Sequence, residues 1–258
     1  MVLLSVNVNK IATLRNARGG QQPNVCQVAT DALRFGANGI TVHPRPDGRH
    51  IRYQDVFDLK EMITEFNVSH KGCREYNIEG YPSETFLQLV EEIKPNQVTL
   101  VPDPPNVLTS NAGWKVSEHQ NFLWQVCSRL QAPKIRVSLF IDPQHVNDQF
   151  LTDLKATGIN RVELYTEMFA SAFGTGKQES VTAMYAQAAH RITEIGLELN
   201  AGHDLNLDNV SYLRQQVPGL KEVSIGHALM CEALYLGLET TIKKYLQLLQ
   251  ENTRGLAN

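Results

Sequence analysis

The segment ITVHPRPDGRHI, residues 40–51, begins like a buried strand and then runs into charged residues. Its first three residues are β-branched, which favours a strand. Side chains alternate across a strand, so Thr41, His43 and Arg45 share one face. The segment is either a strand that enters a solvated basic loop, or a strand whose end carries residues into a functional site. The pattern in the rest of the chain distinguishes these two interpretations.

Seven further β-rich segments lie along the chain, and segments with helical spacing of apolar residues occur between them. The eight strand segments are residues 3–9, 39–43, 75–80, 97–102, 134–142, 161–166, 197–203 and 222–227. The helical segments are residues 25–36, 83–95, 117–131, 145–157, 179–195, 207–216 and 232–250. Eight strands that alternate with helices predict an α/β fold, the (β/α)8 TIM barrel, as a single domain over residues 1–258. The alternative is a doubly wound open sheet, which usually carries a glycine-rich fingerprint after its first strand. Asn9, Lys10 and a polar loop are expected there instead.

The strands of this predicted barrel have one polar and one apolar face. The polar positions of strands one to seven are Ser5, Asn7, Asn9, Thr41, His43, Arg45, Asn77, Glu79, Gln97, Thr99, Arg136, Ser138, Asp142, Glu163, Tyr165, Glu198 and Asn200. Because the apolar faces should contact the helices, we expect a hydrophilic barrel interior. A buried charge is costly unless it is paired, so Arg136 should be bonded to Glu163 or Glu198. The alternative, an antiparallel sheet with one wet face, fits the intervening helices less well.

The composition narrows the class of protein. The chain is 42% hydrophobic and 20% charged, as in ordinary globular proteins, and its net charge of −3 offers no broad basic surface to nucleic acid. No apolar run approaches the about 18–20 residues of a membrane span, and the N-terminus lacks the features of a signal peptide. The four cysteines lie at Cys26, Cys73, Cys127 and Cys231, without a CxxC pair. This spacing favours reduced thiols in a cytoplasmic protein over disulfides or zinc ligands.

Active sites of TIM barrels form at the C-terminal ends of the strands. In this chain those ends carry His43, Arg45, Glu79, His203 and His227. Histidine and carboxylate together can bind zinc or iron. However, the first strand has NVN where barrel metallohydrolases that resemble the amidohydrolases carry HxH. The sequence therefore favours a site without a metal.

Phosphate is a better candidate ligand than a metal. The loops NAGHDLN, residues 200–206, and SIGHALM, residues 224–230, follow the last two strands, where barrels commonly bind phosphate. A helix that begins at Gly226–His227 would direct its free N–H groups at an anion. Arg18, in the segment NARGG, could add a guanidinium fork.

Six segments together resemble the pyridoxine 5′-phosphate synthase family. They are NKIATLRNARGG (9–20), GITVHPRPDGRHI (39–51), NIEGYPSE (77–84), QVTLVPD (97–103), NAGHDL (200–205) and EVSIGHAL (222–229). The resemblance extends over residues 3–250, with the motifs in the same order. It implies a (β/α)8 barrel that assembles as a homo-octamer. The implied reaction condenses 1-deoxy-D-xylulose 5-phosphate with 3-amino-2-oxopropyl phosphate to give pyridoxine 5′-phosphate, phosphate and water, with no metal or redox cofactor.

The resemblance also implies roles for individual residues. The catalytic residues are expected to be His43, Glu79 and His203. The substrate-binding residues are expected to be Asn7, Asn9, Lys10, Arg18, Arg45, His50, Thr109, Glu163, Asp204, Gly226 and His227. The chain departs from the family where many members have Asp-His in place of Asn9–Lys10, and glycine in place of Asp204. Residues 67–76 look like an insertion before the third strand.

Two other functions remain open at this point. Lys10 could form a Schiff base in an aldolase, which would need a pKa depressed by burial or by nearby cations. A non-catalytic sensor of a phosphorylated metabolite is the other alternative, and it would be expected to have lost Glu79 or a histidine. The chain retains both. The condensation, in contrast, needs several groups that accept and donate protons near neutral pH, and the strand ends provide them.

Overall fold

The structure is a computed structural model that describes residues 1–102 and 112–250. Eight parallel strands form a closed barrel in chain order, and β1 pairs with β8 to complete it. The strands are β1 Leu3–Asn7, β2 Gly39–Val42, β3 Glu75–Gly80, β4 Gln97–Leu100, β5 Arg136–Ile141, β6 Arg161–Tyr165, β7 Glu198–Gly202 and β8 Leu220–Ile225. The predicted (β/α)8 TIM barrel is confirmed.

Helices surround the barrel and alternate with its strands. They are α1 Asn9–Arg18, α2 Val25–Arg34, α3 Tyr53–His70, α4 Glu84–Ile93, α5 Val116–Gln131, α6 Asp148–Ala156, α7 Glu167–Ala172, α8 Gln178–Glu194, α9 Val210–Gln216, α10 His227–Leu236 and α11 Leu238–Gln250. A 3₁₀ turn, Pro143–His145, precedes α6. Polar side chains begin several of them: Asn24 accepts a hydrogen bond from the N–H of Gln27, and Ser83 accepts one from the N–H of Phe86. No helix among the described residues is long and apolar enough to cross a membrane.

Several helical features differ from the sequence prediction, and the short helix α7 was not predicted. The expected polar loop after β1 is the helix α1, whose apolar stripe is too weak to be found by periodicity. The helix α3 was not predicted, and residues 67–76 form its C-terminal end, a left-handed cap at Lys71 and the start of β3. The single helix expected at 232–250 is two helices, because Gly237, with φ of 79°, separates them.

The barrel interior is hydrophilic, as the strand alternation predicts. Polar side chains inside the barrel are almost fully buried: Ser5, Thr41, Asn77, Gln97, Thr99, Ser138, Arg161, Glu163, Asn200, Glu222 and Ser224. The alternate residues of the same strands, such as Leu4, Ile40 and Ile78, are apolar and belong to the main hydrophobic core. The hydrophobic core therefore lies between the barrel and its helices rather than along the barrel axis.

The prediction for the partner of Arg136 was wrong. Its guanidinium pairs with Glu75 and donates a hydrogen bond from Nε to Oε1 of Gln97 at 2.8 Å. Strand register explains the difference, because Glu163 is level with Phe140, four residues further along β5 than Arg136. At about 3.3 Å per residue this separation is about 13 Å, beyond the reach of a side chain pair.

Arg161, rather than Arg136, is the arginine that pairs with Glu198. It is 5% exposed and donates to Oε2 of Glu198 from Nε at 2.9 Å and from Nη2 at 2.5 Å. Its Nη1 lies 3.5 Å from Oε2 of Glu222 and donates to Oε1 of Gln97 at 3.0 Å. Because Gln97 also accepts from Arg136, these contacts form a continuous belt of hydrogen bonds and ion pairs across β3 to β8. We call it the polar belt.

Candidate active site

A cavity of about 350 Å³ opens at the C-terminal ends of the strands. Twelve of the predicted site residues line it: Asn7, Asn9, Lys10, His43, Arg45, His50, Glu79, Glu163, His203, Asp204, Gly226 and His227. A larger cavity of about 710 Å³ lies at the opposite end of the barrel, near Val2 and Leu220. Its described lining contains no acidic residue, so it lacks a carboxylate for acid/base chemistry. The smaller cavity is therefore the candidate active site.

Two of the predicted residues are not among those that line this cavity. Thr109 lies outside the described residues. Arg18 is exposed at the C-terminal end of α1.

Four lining residues were not predicted as site residues: Thr99, Val101, Phe140 and Ser224. Alternation could have found Phe140, which shares a face with Arg136 and Ser138. It could also have found Ser224, since the polar face of β8 was not assigned. Asp142, which was expected on this face, instead accepts a hydrogen bond from the N–H of Gln144 at 3.1 Å.

Glu79, at the end of β3, lies at the centre of the ionisable groups. Its Oε2 is 4.0 Å from Nδ1 of His43 and accepts a hydrogen bond from Nδ2 of Asn7 at 3.4 Å. Burial, and then the negative charge of Glu163, raise the pKa of Glu79 well above its usual range. A carboxylate in this environment is a stronger base than an exposed one once it has lost its proton.

The two histidines that follow β2 are neutral at pH 7. Burial, together with the charges of His50 and Arg45, lowers the pKa of His43 to about 3. Burial and Arg45 lower the pKa of His50 to about 4. Nδ1 of His50 accepts a hydrogen bond from the N–H of Ile51 at 2.9 Å, so Nε2 carries its proton. His50 lines the cavity, so this Nε2–H can donate to a ligand bound there.

The helix α1 holds these residues in place. Asn9, its first residue, accepts a hydrogen bond from the N–H of His43 at 2.9 Å. Asn16 donates to the carbonyl of His50 at 2.7 Å. The buried Arg15 forms two hydrogen bonds with Asp55, at 2.5 and 2.8 Å, which fix α1 against α3. The unpredicted helix therefore positions the two histidines.

Glu163 lies below the mouth, on β6. Its Oε2 accepts a hydrogen bond from Thr99 at 3.3 Å. Burial, and then the charge of Glu222, raise its pKa to about 7. A Cβ atom on Gly202 would be only 2.5 Å from Oε1 of Glu163. Glycine at 202 therefore leaves the space that this carboxyl group occupies.

His203 follows β7 in a conformation that is rare for residues other than glycine. Its φ is 103°, a geometry that costs about 1–3 kcal/mol and is found mainly at functional sites. Its Nδ1 is 2.6 Å from Oδ2 of Asp204. The ring of Tyr165 contacts the imidazole edge to face, with 5.2 Å between the ring centres. The fold thus holds this histidine at the cavity despite the backbone strain.

The cavity also has the features of an anion site. Helix α10 begins at His227, with Gly226 as its N-cap, so its first N–H groups have no partner within the helix. Arg45, Lys10 and His50 line the part of the cavity next to β1 and β2. In residues 1–102 and 112–250, no cluster of three or more His, Cys, Asp or Glu side chains could hold a metal ion.

Comparison with known proteins identifies relatives of the whole chain. The model of the family described as pyridoxal phosphate biosynthesis protein PdxJ matches residues 4–251. A protein of Cytophaga hutchinsonii named pyridoxine 5′-phosphate synthase is 52% identical over 251 residues, which is 97% of this chain and 100% of the relative. A protein of the same name from Flavobacterium johnsoniae is 51% identical over 250 residues, with the same shares of the two chains covered.

Solved structures of distant proteins share the barrel. The 3-keto-L-gulonate-6-phosphate decarboxylase of Vibrio cholerae aligns with a TM-score of 0.61 at 10% identity, over 96% of this chain and 97% of its own. The phosphoribosyl anthranilate isomerase of Thermotoga maritima aligns with a TM-score of 0.57 at 15% identity, over 97% and 99%. At this identity the similarity shows the fold alone.

Proposed function

The chain belongs to the family of the pyridoxal phosphate biosynthesis protein PdxJ and is an enzyme of pyridoxine 5′-phosphate synthesis, and from this premise we propose that the reaction takes place in the cavity at the strand ends. The substrates are 1-deoxy-D-xylulose 5-phosphate and 3-amino-2-oxopropyl phosphate. The observation that supports this location of the reaction is the placement of Glu79 among groups that can bind phosphate, with its Oε2 4.0 Å from Nδ1 of His43.

The proposed chemistry is a series of proton transfers. The amine of one substrate adds to the ketone of the other and water is lost. Carbon-bound protons are then removed, phosphate leaves, and a carbon–carbon bond to the second ketone closes the ring with loss of a second water. Glu79 is the base, because its buried carboxylate gains most from taking a proton. His43 is neutral and accepts a proton, and His203 donates one. Glu163, with a pKa of about 7, is available in both protonation states near neutral pH.

Two groups of donors bind the two phosphate groups. Arg45, Lys10 and the Nε2–H of His50 hold the deoxyxylulose phosphate on the side of β2. The first N–H groups of α10, after Gly226, hold the second phosphate. A bound phosphate dianion also offsets the positive charge of Arg45 that disfavours protonated His43. Substrate binding therefore prepares His43 to accept a proton.

Incubation of the purified protein with both phosphorylated substrates tests the proposed function. The absorbance of the pyridoxine ring should appear together with one inorganic phosphate per ring, and omission of either substrate should abolish both signals. Phosphate release without the ring chromophore would refute the proposed condensation.

The Schiff-base aldolase has no support from the position of Lys10, which is exposed in the first turn of α1. Borohydride trapping of an adduct on Lys10 would reverse that assessment.

Replacing Arg45 by lysine tests the phosphate site on the side of β2. A lysine cannot reproduce the bidentate fork of a guanidinium. We expect the KM for 1-deoxy-D-xylulose 5-phosphate to rise about 10-fold, the scale of one hydrogen bond to a charged group. The KM for the other substrate should not change. Arg49→Lys is the control, because Arg49 pairs with Asp47 and does not line the cavity. Equal KM values in Arg45→Lys and wild type would remove Arg45 from the phosphate site.

The assembly and location of the protein are proposed by extension from the family. We expect a cytoplasmic homo-oligomer, and the family resemblance favours an octamer. Light scattering of the purified chain at micromolar concentration measures the mass directly. A particle of 28.9 kDa, the mass of one chain, would contradict the proposed assembly.

A further inference from the structure

Asp204 lies beside His203 in the loop after β7, and the two side chains are joined. Oδ2 of Asp204 is 2.6 Å from Nδ1 of His203, within hydrogen-bond distance. A carboxylate at this position can only accept, so Nδ1 carries a proton. Nε2 is then the nitrogen of His203 that is available to a ligand in the cavity.

The surroundings of the pair limit its movement. The carbonyl of Asp204 accepts a hydrogen bond from Nδ2 of Asn209 at 3.3 Å. Thr166 donates to the carbonyl of Gly202 at 2.7 Å on the other side of the histidine. Tyr165 contacts the imidazole ring edge to face. These contacts restrain the backbone and one side of the ring, and the bond to Asp204 restrains rotation of the imidazole about its bond to Cβ.

We propose that Asp204 is a positioning residue that holds the imidazole of His203 through Nδ1, so that Nε2 carries out the proton transfer. The proposal rests on the proposed function, in which His203 donates a proton. In this role Asp204 acts through His203, although it was expected from the sequence to bind substrate directly. The two roles predict different kinetics.

Asp204→Asn tests the proposal. Asparagine has the same shape, but it has no charge and can present an N–H to Nδ1, which would favour the opposite tautomer. We expect kcat to fall about 10- to 100-fold, the range for a lost hydrogen bond to a charged group, with little change in either KM. If Asp204 instead binds substrate, a KM will rise while kcat stays the same. Asp208→Asn is the matched control, since Asp208 is exposed in the same loop and does not line the cavity.

The tautomer gives a readout that does not depend on activity. In the full chain labelled with ¹⁵N-histidine, the signals of His203 are identified by their loss in His203→Gln. The shifts should show a protonated Nδ1 in wild type and Asp208→Asn, and an altered pattern in Asp204→Asn. Identical His203 signals in wild type and Asp204→Asn would refute the proposal for Asp204, whatever the activity. A fully active His203→Gln would instead refute the role of His203 in the proposed function.

Discussion

Glu79→Gln is expected to lower kcat by about 10²–10⁴-fold, the usual contribution of a general base, while the protein remains folded. Glutamine keeps the shape of the side chain and can still bond to Asn7, but it cannot take a proton. Since burial raises the pKa of Glu79, the wild-type rate should increase with pH as this carboxyl group ionises. The rate that remains in the variant should lack this increase. The measurement is kcat against pH, with circular dichroism and thermal unfolding to establish folding.

Glu84→Gln is the control for this experiment. Glu84 is in the first turn of the helix that follows β3, and its side chain is exposed and paired with Arg129. It carries the same charge change without touching the cavity, so its kcat and its pH profile should match wild type. Activity of Glu79→Gln within a few-fold of wild type would exclude Glu79 as the base.

Arg161→Met is expected to reduce the free energy of unfolding by about 3–5 kcal/mol at pH 8, the usual cost of removing one partner of a buried ion pair. Methionine retains the apolar stem but leaves the buried Glu222 without its cation. Burial raises the pKa of Glu222 from an ordinary value of 4.5 to about 7. The positive charge of Arg161 is the largest effect that lowers this pKa. Between about pH 4.5 and 7 the folded state therefore holds a proton that the unfolded chain has already released.

The loss of stability in Arg161→Met should depend on pH. A carboxyl group with a raised folded-state pKa destabilises the fold as the pH increases from about 4.5, its ordinary pKa, to its folded-state value. Without Arg161 that value increases further, so the deficit relative to wild type should be small at pH 5 and largest at pH 8. Urea unfolding at the two pH values measures it. Arg34→Met, which removes an exposed guanidinium 3.5 Å from Asp31, should cost less than about 1 kcal/mol. Equal stability of Arg161→Met and wild type at pH 8 would show that the ion pair of Arg161 with Glu222 contributes nothing to stability.

The order and parallel pairing of the strands could be predicted because the period-two pattern is local. The same pattern led to His43, Glu79 and Glu163. The helix α1 could not be found in this way, since its buried positions include Arg15, whose burial depends on Asp55, 40 residues away. The contacts of a charged helix are decided by a partner that is distant in sequence.

The prediction of the ion pairs inside the barrel failed for a related reason. Alternation places Arg136 on the inner face, but it says nothing about height along the barrel axis. Arg161 was overlooked because it begins β6, and Glu222 because the inner face of β8 was not followed. The pair Asp204–His203 was also inaccessible to the pattern, because loop geometry determines whether neighbouring side chains meet.

The polar belt has a consequence for how the mouth of the barrel is assembled. In a barrel filled with Val, Ile and Leu, one strand could slide by two residues and still present apolar groups to the interior. Here such a slide would separate Arg161 from Glu198, or Gln97 from both arginines, and leave a desolvated charge. The hydrogen bonds and ion pairs of the polar belt thus define the shear of the barrel, which is the stagger between its strands. The permitted stagger is the one in which every cation meets its acceptor. The ends of these strands inherit that alignment, so the heights at which Glu79, Glu163 and His203 emerge are set from the opposite end of the barrel.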